Sequence, residues 1–363
     1  MEIVIMLLAL PLIWPFIAKV LWKREIIPLE LAANVGAVAI AGVLVYYFAL
    51  GTLTSDTEII NGAVTGKDKV RVSCSHSYNC NCRPDCSTNA DGSKSCSEKC
   101  DTCYEHMNDW DWDVHTSAMG QTVTIDRIDR QGAREPSRWT EAKIGDPVAL
   151  PHEFTNYIKG AEASLFNTSA YAGLVEKFAG KLPPYPDKVH DYHYLNRVIN
   201  LSPSVPATFV NEVNQKLALA LRDLGPTKQV NLIVVLTELS DPNYATALHK
   251  QWLGGKKNDV VVVVGVTHYP AIGWARILSW SDTEMLKVSL RDSIQELEGL
   301  SADKFVDTII THTKTHFIRK KMADFEYLKG EISLSMGILA LIEVGLLLFS
   351  VALSLYFAKN RHR

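Results

Sequence analysis

Three long apolar stretches constrain this chain more than any other feature of its sequence. They cover residues 3–21 (IVIMLLALPLIWPFIAKVL), 31–50 (LAANVGAVAIAGVLVYYFAL) and 334–358 (LSMGILALIEVGLLLFSVALSLYFA). Each has the length and apolarity of a helix that crosses a bilayer. The first stretch has no basic start and no small-residue cleavage site, which a secretory signal peptide requires. We therefore expect a multi-pass membrane protein with three transmembrane α-helices.

Basic residues predict the orientation of these helices. Two basic clusters flank the spans, one between the first two and one after the third: Lys19, Lys23, Arg24, Lys359, Arg361 and Arg363. Basic residues in short loops favour the cytoplasmic side, and three crossings allow both clusters to be cytoplasmic. The basic residues 319–321 oppose this orientation, but they belong to a long segment in which the rule weakens. The region from about 54 to 332 is then extracytoplasmic, which means periplasmic in a Gram-negative cell.

The expected organisation has five parts along the chain. They are an N-terminal transmembrane hairpin (1–53), a Cys-rich β module (54–150), an α/β domain (151–333), a C-terminal transmembrane helix (334–358) and a basic cytoplasmic tail (359–363). The chain carries 37 basic and 40 acidic residues and has no basic stripe, so a nucleic-acid partner is not expected. The expected partners are the lipid bilayer and a membrane protein, or a second copy of the chain.

All seven cysteines fall between residues 73 and 106. They are Cys74, Cys80, Cys82, Cys86, Cys96, Cys100 and Cys103. In an extracytoplasmic segment that is poor in apolar residues, this pattern predicts a disulfide framework, and the odd count leaves one thiol over. Zinc is the alternative, because Cys96, Cys100, Cys103 and His106 have the spacing of a thiolate and imidazole site. A reactive thiol is a third interpretation.

The stretch DWDWDV, residues 109–114, alternates acids with apolar side chains. This alternation predicts a strand whose tryptophans point inward and whose acids, Asp109, Asp111 and Asp113, point to solvent. Calcium binding by the three carboxylates is the alternative, but no glycine stands where a calcium loop requires one. The sequence TVTIDRID, which follows, predicts a second half-buried strand.

Clean α/β patterning begins at residue 206. A helix that closes at Gly225 precedes a buried strand (VNLIVVLTEL), a helix (DPNYATALHKQWLGG) and a valine-rich strand (NDVVVVVGVTH). A third strand, WARILSW, precedes a helix for which Ser281 and Glu284 form an expected capping box. One further helix completes a small three-layer α/β domain.

Within this domain, the motif WLGGKKNDVVVVVGVTH resembles the TPM domain family over roughly residues 200–322. The matching positions are Trp252, Gly254, Gly255, Asn258 and Asp259. The resemblance implies a membrane-anchored, extracytoplasmic α/β domain. Some members of the family are metal-binding proteins or weak acid phosphatases, and others bind or assemble membrane partners. The whole chain also resembles uncharacterised membrane proteins of tailed bacteriophages and their hosts.

We expect a non-enzymatic protein that binds, assembles or modulates components of the cell envelope. The alternative is a phosphatase that uses a divalent metal ion, which we would place beyond the carboxyl ends of the strands, where α/β sheets bind ligands. Its candidate residues are Glu238, Asp241 and His268. In the third span, Glu343 is costly to bury in lipid, and we expect it to contact a partner or a second copy of the chain.

Overall fold

The computed structural model describes residues 2–23, 27–88, 94–161, 172–194 and 197–360. Of the residues that predict the orientation, Arg24, Arg361 and Arg363 lie outside this description. The chain divides into two compact units. The helical unit comprises residues 1–57, 153–179 and 321–363, and the sheet unit comprises residues 58–152 and 180–320.

The helices carry the numbers α1 to α10 in chain order. They are α1 (Glu2–Trp22), α2 (Pro28–Thr54), α3 (Ser137–Glu141), α4 (Tyr157–Gly160), α5 (Ala172–Lys177), α6 (Ala207–Lys228), α7 (Asn243–Gln251), α8 (Glu284–Gln295), α9 (Ala302–His316) and α10 (Met336–Asn360), together with a 3-10 helix (Met322–Glu331). The strands are β1 (Ser55–Val72), β2 (Ser77–Thr88), β3 (Lys94–Tyr104), β4 (Asp109–Thr116), β5 (Thr122–Ile125), β6 (Pro147–Thr155), β7 (Val189–His190), β8 (His193–Tyr194), β9 (Val198–Leu201), β10 (Asn231–Thr237), β11 (Asp259–Gly265) and β12 (Trp274–Ser279).

The helical unit contains two helices that are long and apolar enough to cross a membrane, over Pro28–Thr54 and Met336–Lys359. They pack against each other and against α1. Val38 of α2 lies in a buried apolar cluster with Ile342 and Leu346 of α10. Most of the surface of both helices remains apolar and exposed, as expected of helices whose outer face meets lipid.

The first sheet of the sheet unit has the strand order β5-β4-β1-β6. β1 and β4 run antiparallel, and Val72 at the end of β1 lies opposite Asp109 at the start of β4. Apolar side chains on one face of this sheet form a core that includes Val64, Trp112 and Val114. The predicted strands around DWDWDV and TVTI are therefore present.

Strands β2 and β3 form a long antiparallel hairpin between β1 and β4. We call residues 77–104 the disulfide hairpin. Almost all of its described residues are exposed, so no apolar core holds it together. Three disulfides connect its strands instead, and the predicted disulfide framework is confirmed: Cys80–Cys103, Cys82–Cys100 and Cys86–Cys96. The free cysteine among the described residues is Cys74, which is buried.

The second sheet has the order β12-β11-β10-β9, with β9, β10 and β11 parallel and β12 antiparallel. Alternate residues of β10 and β11 pack with α6, α8 and α9 on one face of the sheet. The intervening residues, such as Val235 and Val263, are buried as well. Burial on both faces explains why these strands read as continuous apolar runs.

The helix predicted to close at Gly225 continues to Lys228, through Pro226. Gly225 serves a different purpose from ending the helix. A Cβ atom at this position would lie 2.2 Å from the carbonyl oxygen of Asn61 in β1, so a side chain would force the helix away from the first sheet. The prediction for this glycine was wrong because the constraint comes from a strand distant in sequence.

Buried polar contacts join the two sheets inside the sheet unit. Asn258 Nδ2 donates to the carbonyl of Ile59 over 2.7 Å, and Arg197 NH2 donates to Asn61 Oδ1 over 2.7 Å. Glu58, which is fully buried, contacts three basic groups at this junction. His152 Nδ1 lies 3.0 Å and Lys257 Nζ 3.5 Å from Glu58 Oε1, and Arg319 forms a further ion pair.

Candidate functional site

The base of the disulfide hairpin brings together four side chains of the types that bind metal ions. Cys74 and His76 lie in the connection from β1 to β2, and His106 and Asp109 lie where β3 leads into β4. One potential ligand atom from each residue lies within 4.8 Å of the others. We call these four residues the hairpin-base cluster.

Distances within the hairpin-base cluster are short. Cys74 Sγ lies 3.8 Å from Nδ1 of His76 and 3.8 Å from Nδ1 of His106. The Asp109 carboxylate lies 3.4 Å from each histidine, with Oδ2 toward His76 and Oδ1 toward His106. Cys74 and Asp109 are buried, while the two imidazoles are 21% and 27% exposed. Solvent therefore reaches the cluster at the two imidazoles but not at Cys74 or Asp109.

The two oxygens of Asp109 have different surroundings. Oδ2 accepts a hydrogen bond from Arg127 NH1 over 2.9 Å and one from the backbone N–H of Ser75 over 3.4 Å. Oδ1 accepts no hydrogen bond from the described part of the chain, although it is buried. Burial raises the pKa of Asp109, but the hydrogen bonds from Arg127 and Ser75 lower it, and the net pKa is below its ordinary value. Asp109 is thus an ionised carboxylate with one oxygen left for another partner.

Asp109 corrects an expectation from the sequence. The alternation of DWDWDV predicted that this acid would face solvent, whereas its side chain is fully buried. The reason is Arg127, which lies beyond the next strand and bonds both Asp109 and Asp111. Cys74-x-His76 before the hairpin and His106-x-x-Asp109 after it are the sequence signal that would have revealed the cluster.

The zinc alternative predicted from the sequence used Cys96, Cys100, Cys103 and His106. The structure does not bring these four together, because each of the three cysteines is bonded to a different cysteine across the hairpin. A second group that contains Cys82, Cys100 and Glu98 has the spacing of a metal site, but its two cysteines are bonded to each other. Of the predicted zinc ligands, His106 alone belongs to the hairpin-base cluster.

The predicted phosphatase residues lie near the carboxyl ends of β10 and β11 but do not form a cluster. Glu238 lines a cavity of about 440 Å³ with Leu201 and Thr237, and it is exposed. Asp241 accepts a hydrogen bond from the backbone N–H of Asn243 at the start of α7, and His268 is exposed in a turn. Among the described residues, these three side chains do not gather around a common point where a metal ion would bind.

The residues that carry the TPM resemblance form hydrogen bonds and turns within the sheet unit. Trp252 Nε1 donates to the carbonyl of Pro183 over 2.8 Å, and Gly254 and Gly255 both have a positive φ. Asp259 is buried, and burial raises its pKa to about 6 although Asn231 and the Lys256 N–H donate hydrogen bonds to it. The family assignment itself stays a prediction.

Glu343 lies on α10 with its side chain half-buried. Within the described part of the chain it has no hydrogen bond to Tyr46 or Tyr47, whose rings contact each other at 5.7 Å. An apolar groove of about 420 Å³ between α2 and α10 includes Ile342 and Gly345 beside it. Contact of Glu343 with a partner stays a prediction.

Comparison with protein-family models, curated proteins and solved structures found no match for this chain.

Proposed function

We propose that this protein is a three-span membrane protein that displays its sheet unit on the extracytoplasmic side, where it binds or assembles other components of the cell envelope. The proposal assigns it no enzymatic activity. α1, α2 and α10 are its three spans, and the two helices of sufficient length and apolarity support this arrangement. α1 adds a 21-residue helix that packs against both.

Two independent features support the orientation. Basic residues between α1 and α2 and after α10 favour the cytoplasm, and an odd number of spans puts the long middle segment on the other side. Disulfides form and persist in oxidising compartments and are rare in the cytosol. The three disulfides of the hairpin therefore support the same side as the basic residues.

The rigid, exposed disulfide hairpin is the feature that best supports a binding role. Its described residues bury almost no apolar surface, yet three covalent links fix its two strands. A rigid surface loses little conformational entropy when it binds, so rigidity favours recognition. Tyr78 and Tyr104, which are 51% and 58% exposed, lie on adjacent rungs of its ladder. Tyrosine is a residue type enriched at protein interfaces.

Site-specific photocrosslinking in living cells tests this role. A photoreactive phenylalanine analogue replaces Tyr78 or Tyr104 in the full-length chain, and Ile144, which is 74% exposed on the same unit, is the matched control position. We expect crosslinked adducts to one envelope protein, or to a second copy of the chain, from the two hairpin positions and not from Ile144. Equal adducts at all three positions, or none, would contradict the proposal.

The phosphatase alternative rests on the cavity beside Glu238 at the carboxyl ends of β9 and β10. It predicts that the purified full-length protein turns over a phosphomonoester when divalent ions are added. Asp241→Ala should abolish that activity, and Asp223→Ala, on the exposed face of α6, should not. Metal-dependent turnover that is lost with Asp241→Ala would replace the non-enzymatic proposal.

A further inference from the structure

The hairpin-base cluster has the donor set of a zinc site. A cysteine thiolate, two imidazoles and a carboxylate are zinc ligands, and four protein ligands are typical of a structural site. Calcium and magnesium prefer oxygen ligands and would not favour a set with one sulfur and two nitrogens. The donor atoms of Cys74, His76, His106 and Asp109 all lie within one small sphere at the base of the hairpin.

The observed spacings agree with the edges of a zinc tetrahedron. Zn–S and Zn–N bonds of ordinary length give sulfur–nitrogen edges of about 3.6 Å, and nitrogen–oxygen edges of about 3.4 Å. Cys74 Sγ lies 3.8 Å from Nδ1 of both imidazoles, Asp109 Oδ2 lies 3.4 Å from His76 Nδ1, and Asp109 Oδ1 lies 3.4 Å from His106 Nδ1. Since one ligand atom of each residue lies within 4.8 Å of the others, a side-chain rotation that brings one Asp109 oxygen close to both imidazoles would let a single ion contact all four residues.

Asp109 provides the independent evidence that a ligand belongs here. Its side chain is fully buried, and Oδ1, which faces His106, accepts no hydrogen bond from any described residue. A buried carboxylate oxygen that accepts no hydrogen bond is costly. Arg127 and the Ser75 N–H hold Oδ2, and Oδ1 lies toward His106. Outer contacts of this kind orient the carboxylate ligands of metal ions.

The charges of the cluster also balance around a divalent ion. A thiolate at Cys74 and the carboxylate of Asp109 together neutralise Zn²⁺, and the imidazoles bind as neutral ligands. Arg127, which contacts Asp109, is neutralised in turn by Asp111. A neutral assembly avoids the cost of burying net charge.

We propose that Cys74, His76, His106 and Asp109 bind one structural Zn²⁺ ion that fixes the disulfide hairpin to the first sheet. The hairpin meets that sheet through two short connections, residues 73–76 and 105–108, between which the Glu105 N–H donates to the carbonyl of His76 over 3.0 Å. The ion ties both connections to Asp109 at the start of β4. It also accounts for the seventh cysteine, which has no disulfide partner in an otherwise oxidised segment. This site does not depend on the binding role proposed above.

The test uses the full-length protein in detergent, with zinc measured by elemental mass spectrometry. The variant is His76→Gln/His106→Gln, which removes two partly exposed ligands. The matched control is His115→Gln, since His115 also pairs with an aspartate, Asp68, over 2.9 Å on the same sheet but has no cysteine nearby. We expect about one zinc ion per chain in the wild type and in the control, and background zinc in the variant.

Two further measurements keep the test decisive if the variant folds poorly. In the wild type, Cys74 should resist alkylation until a chelator is added, while the three disulfides remain intact by mass. Cobalt added after chelation should give the visible spectrum of a tetrahedral ion with thiolate charge transfer. Wild-type protein that binds no stoichiometric zinc, cobalt without thiolate charge transfer, or a double variant that retains zinc would each overturn the proposal.

Discussion

Ser350 of α10 donates a hydrogen bond to the carbonyl of Pro11 in α1 over 3.0 Å. Pro15 has no N–H, so the carbonyl of Pro11 lacks the donor that an α-helix normally supplies four residues later. An apolar helix tolerates proline when a neighbouring hydroxyl satisfies the released carbonyl. The contact therefore supplies the donor that the Pro11 carbonyl loses because of Pro15.

The Ser350 hydroxyl should stabilise the packing of the helical unit. Ser350 Oγ also lies 2.7 Å from Asn34 Oδ1 of α2, so Ser350→Ala removes contacts to two helices. We expect a loss of about 1 kcal/mol in the free energy of unfolding in detergent. Thr52→Ala is the control, because in the described part of the chain the Thr52 hydroxyl donates to the Ala49 carbonyl of its own helix and to no other helix. Equal thermal stability of Ser350→Ala and the wild type would show that the contact is not formed.

Glu58 should be essential to the junction between the two sheets. It is fully buried beside Lys257 and Arg319, and Glu58→Gln would remove the carboxylate charge that both cations contact. Removing one partner of a buried ion pair lowers the free energy of unfolding by about 3–5 kcal/mol. Chemical denaturation followed by tryptophan fluorescence measures the loss, with the exposed Glu238→Gln as control. A loss no larger than that of the control would contradict the role of Glu58.

Asp259 predicts a distinctive dependence of stability on pH. In the folded protein, burial raises the pKa of the Asp259 carboxyl group to about 6, compared with 3.8 for an unperturbed aspartate. Its stabilising effect is full below the unfolded pKa and is lost as the pH rises through about 6, a change on the order of 3 kcal/mol. Removing this group with Asp259→Asn should make stability rise more steeply with pH between 4 and 6. Asp223→Asn, at an exposed carboxylate, is the control, and an unchanged pH profile for Asp259→Asn would contradict the prediction.

His249 predicts the opposite pH dependence in nearly the same range. Burial lowers its pKa to about 4, although Nε2–H donates to the Gly254 carbonyl. Its contribution is full above the unfolded pKa of 6.5 and is lost as the pH falls through about 4. His249→Gln should therefore flatten the loss of stability on acidification, as measured by thermal unfolding from pH 7 to pH 4. A variant that loses stability on acidification as steeply as the wild type would contradict this.

Glu343 should control assembly in the membrane. Glu343→Leu removes the carboxyl group, and Glu343→Gln keeps hydrogen-bonding capacity without charge. We expect size-exclusion chromatography with light scattering to show a smaller assembly for the leucine variant and the wild-type size for the glutamine variant. Identical profiles for all three proteins would exclude the predicted partner contact.

The sequence predicted elements whose signal is local. The strands β10 and β11 read as buried apolar runs, and α7 between them has helical periodicity, so all three elements appear where expected. Disulfide bonding followed from composition and spacing. The pairing did not, since six cysteines already permit 15 connectivities. The hairpin register fixes the pairing as a nested set, with Cys86 directly opposite Cys96.

The sequence did not predict features that depend on distant contacts. Ser281 was expected to cap α8, but the N-cap is Thr283, and Ser281 Oγ instead accepts a hydrogen bond from the backbone of Ile318 over 3.0 Å. The hairpin-base cluster was not predicted either, because it also depends on contacts between residues distant in sequence. Its four residues become neighbours because β2 pairs with β3 and β1 pairs with β4, so the chain returns to the point where it left the first sheet.

The proposed membrane orientation is tested most directly by measuring on which side of the membrane the sheet unit lies. The full-length chain carries an epitope tag after Arg363. A protease is added to cells from which the outer membrane or cell wall has been removed and whose cytoplasmic membrane is intact. The account predicts that peptides from residues 58–152 and 180–320 are released while the tag stays protected until the cells are lysed. Protection of those peptides together with digestion of the tag would contradict it.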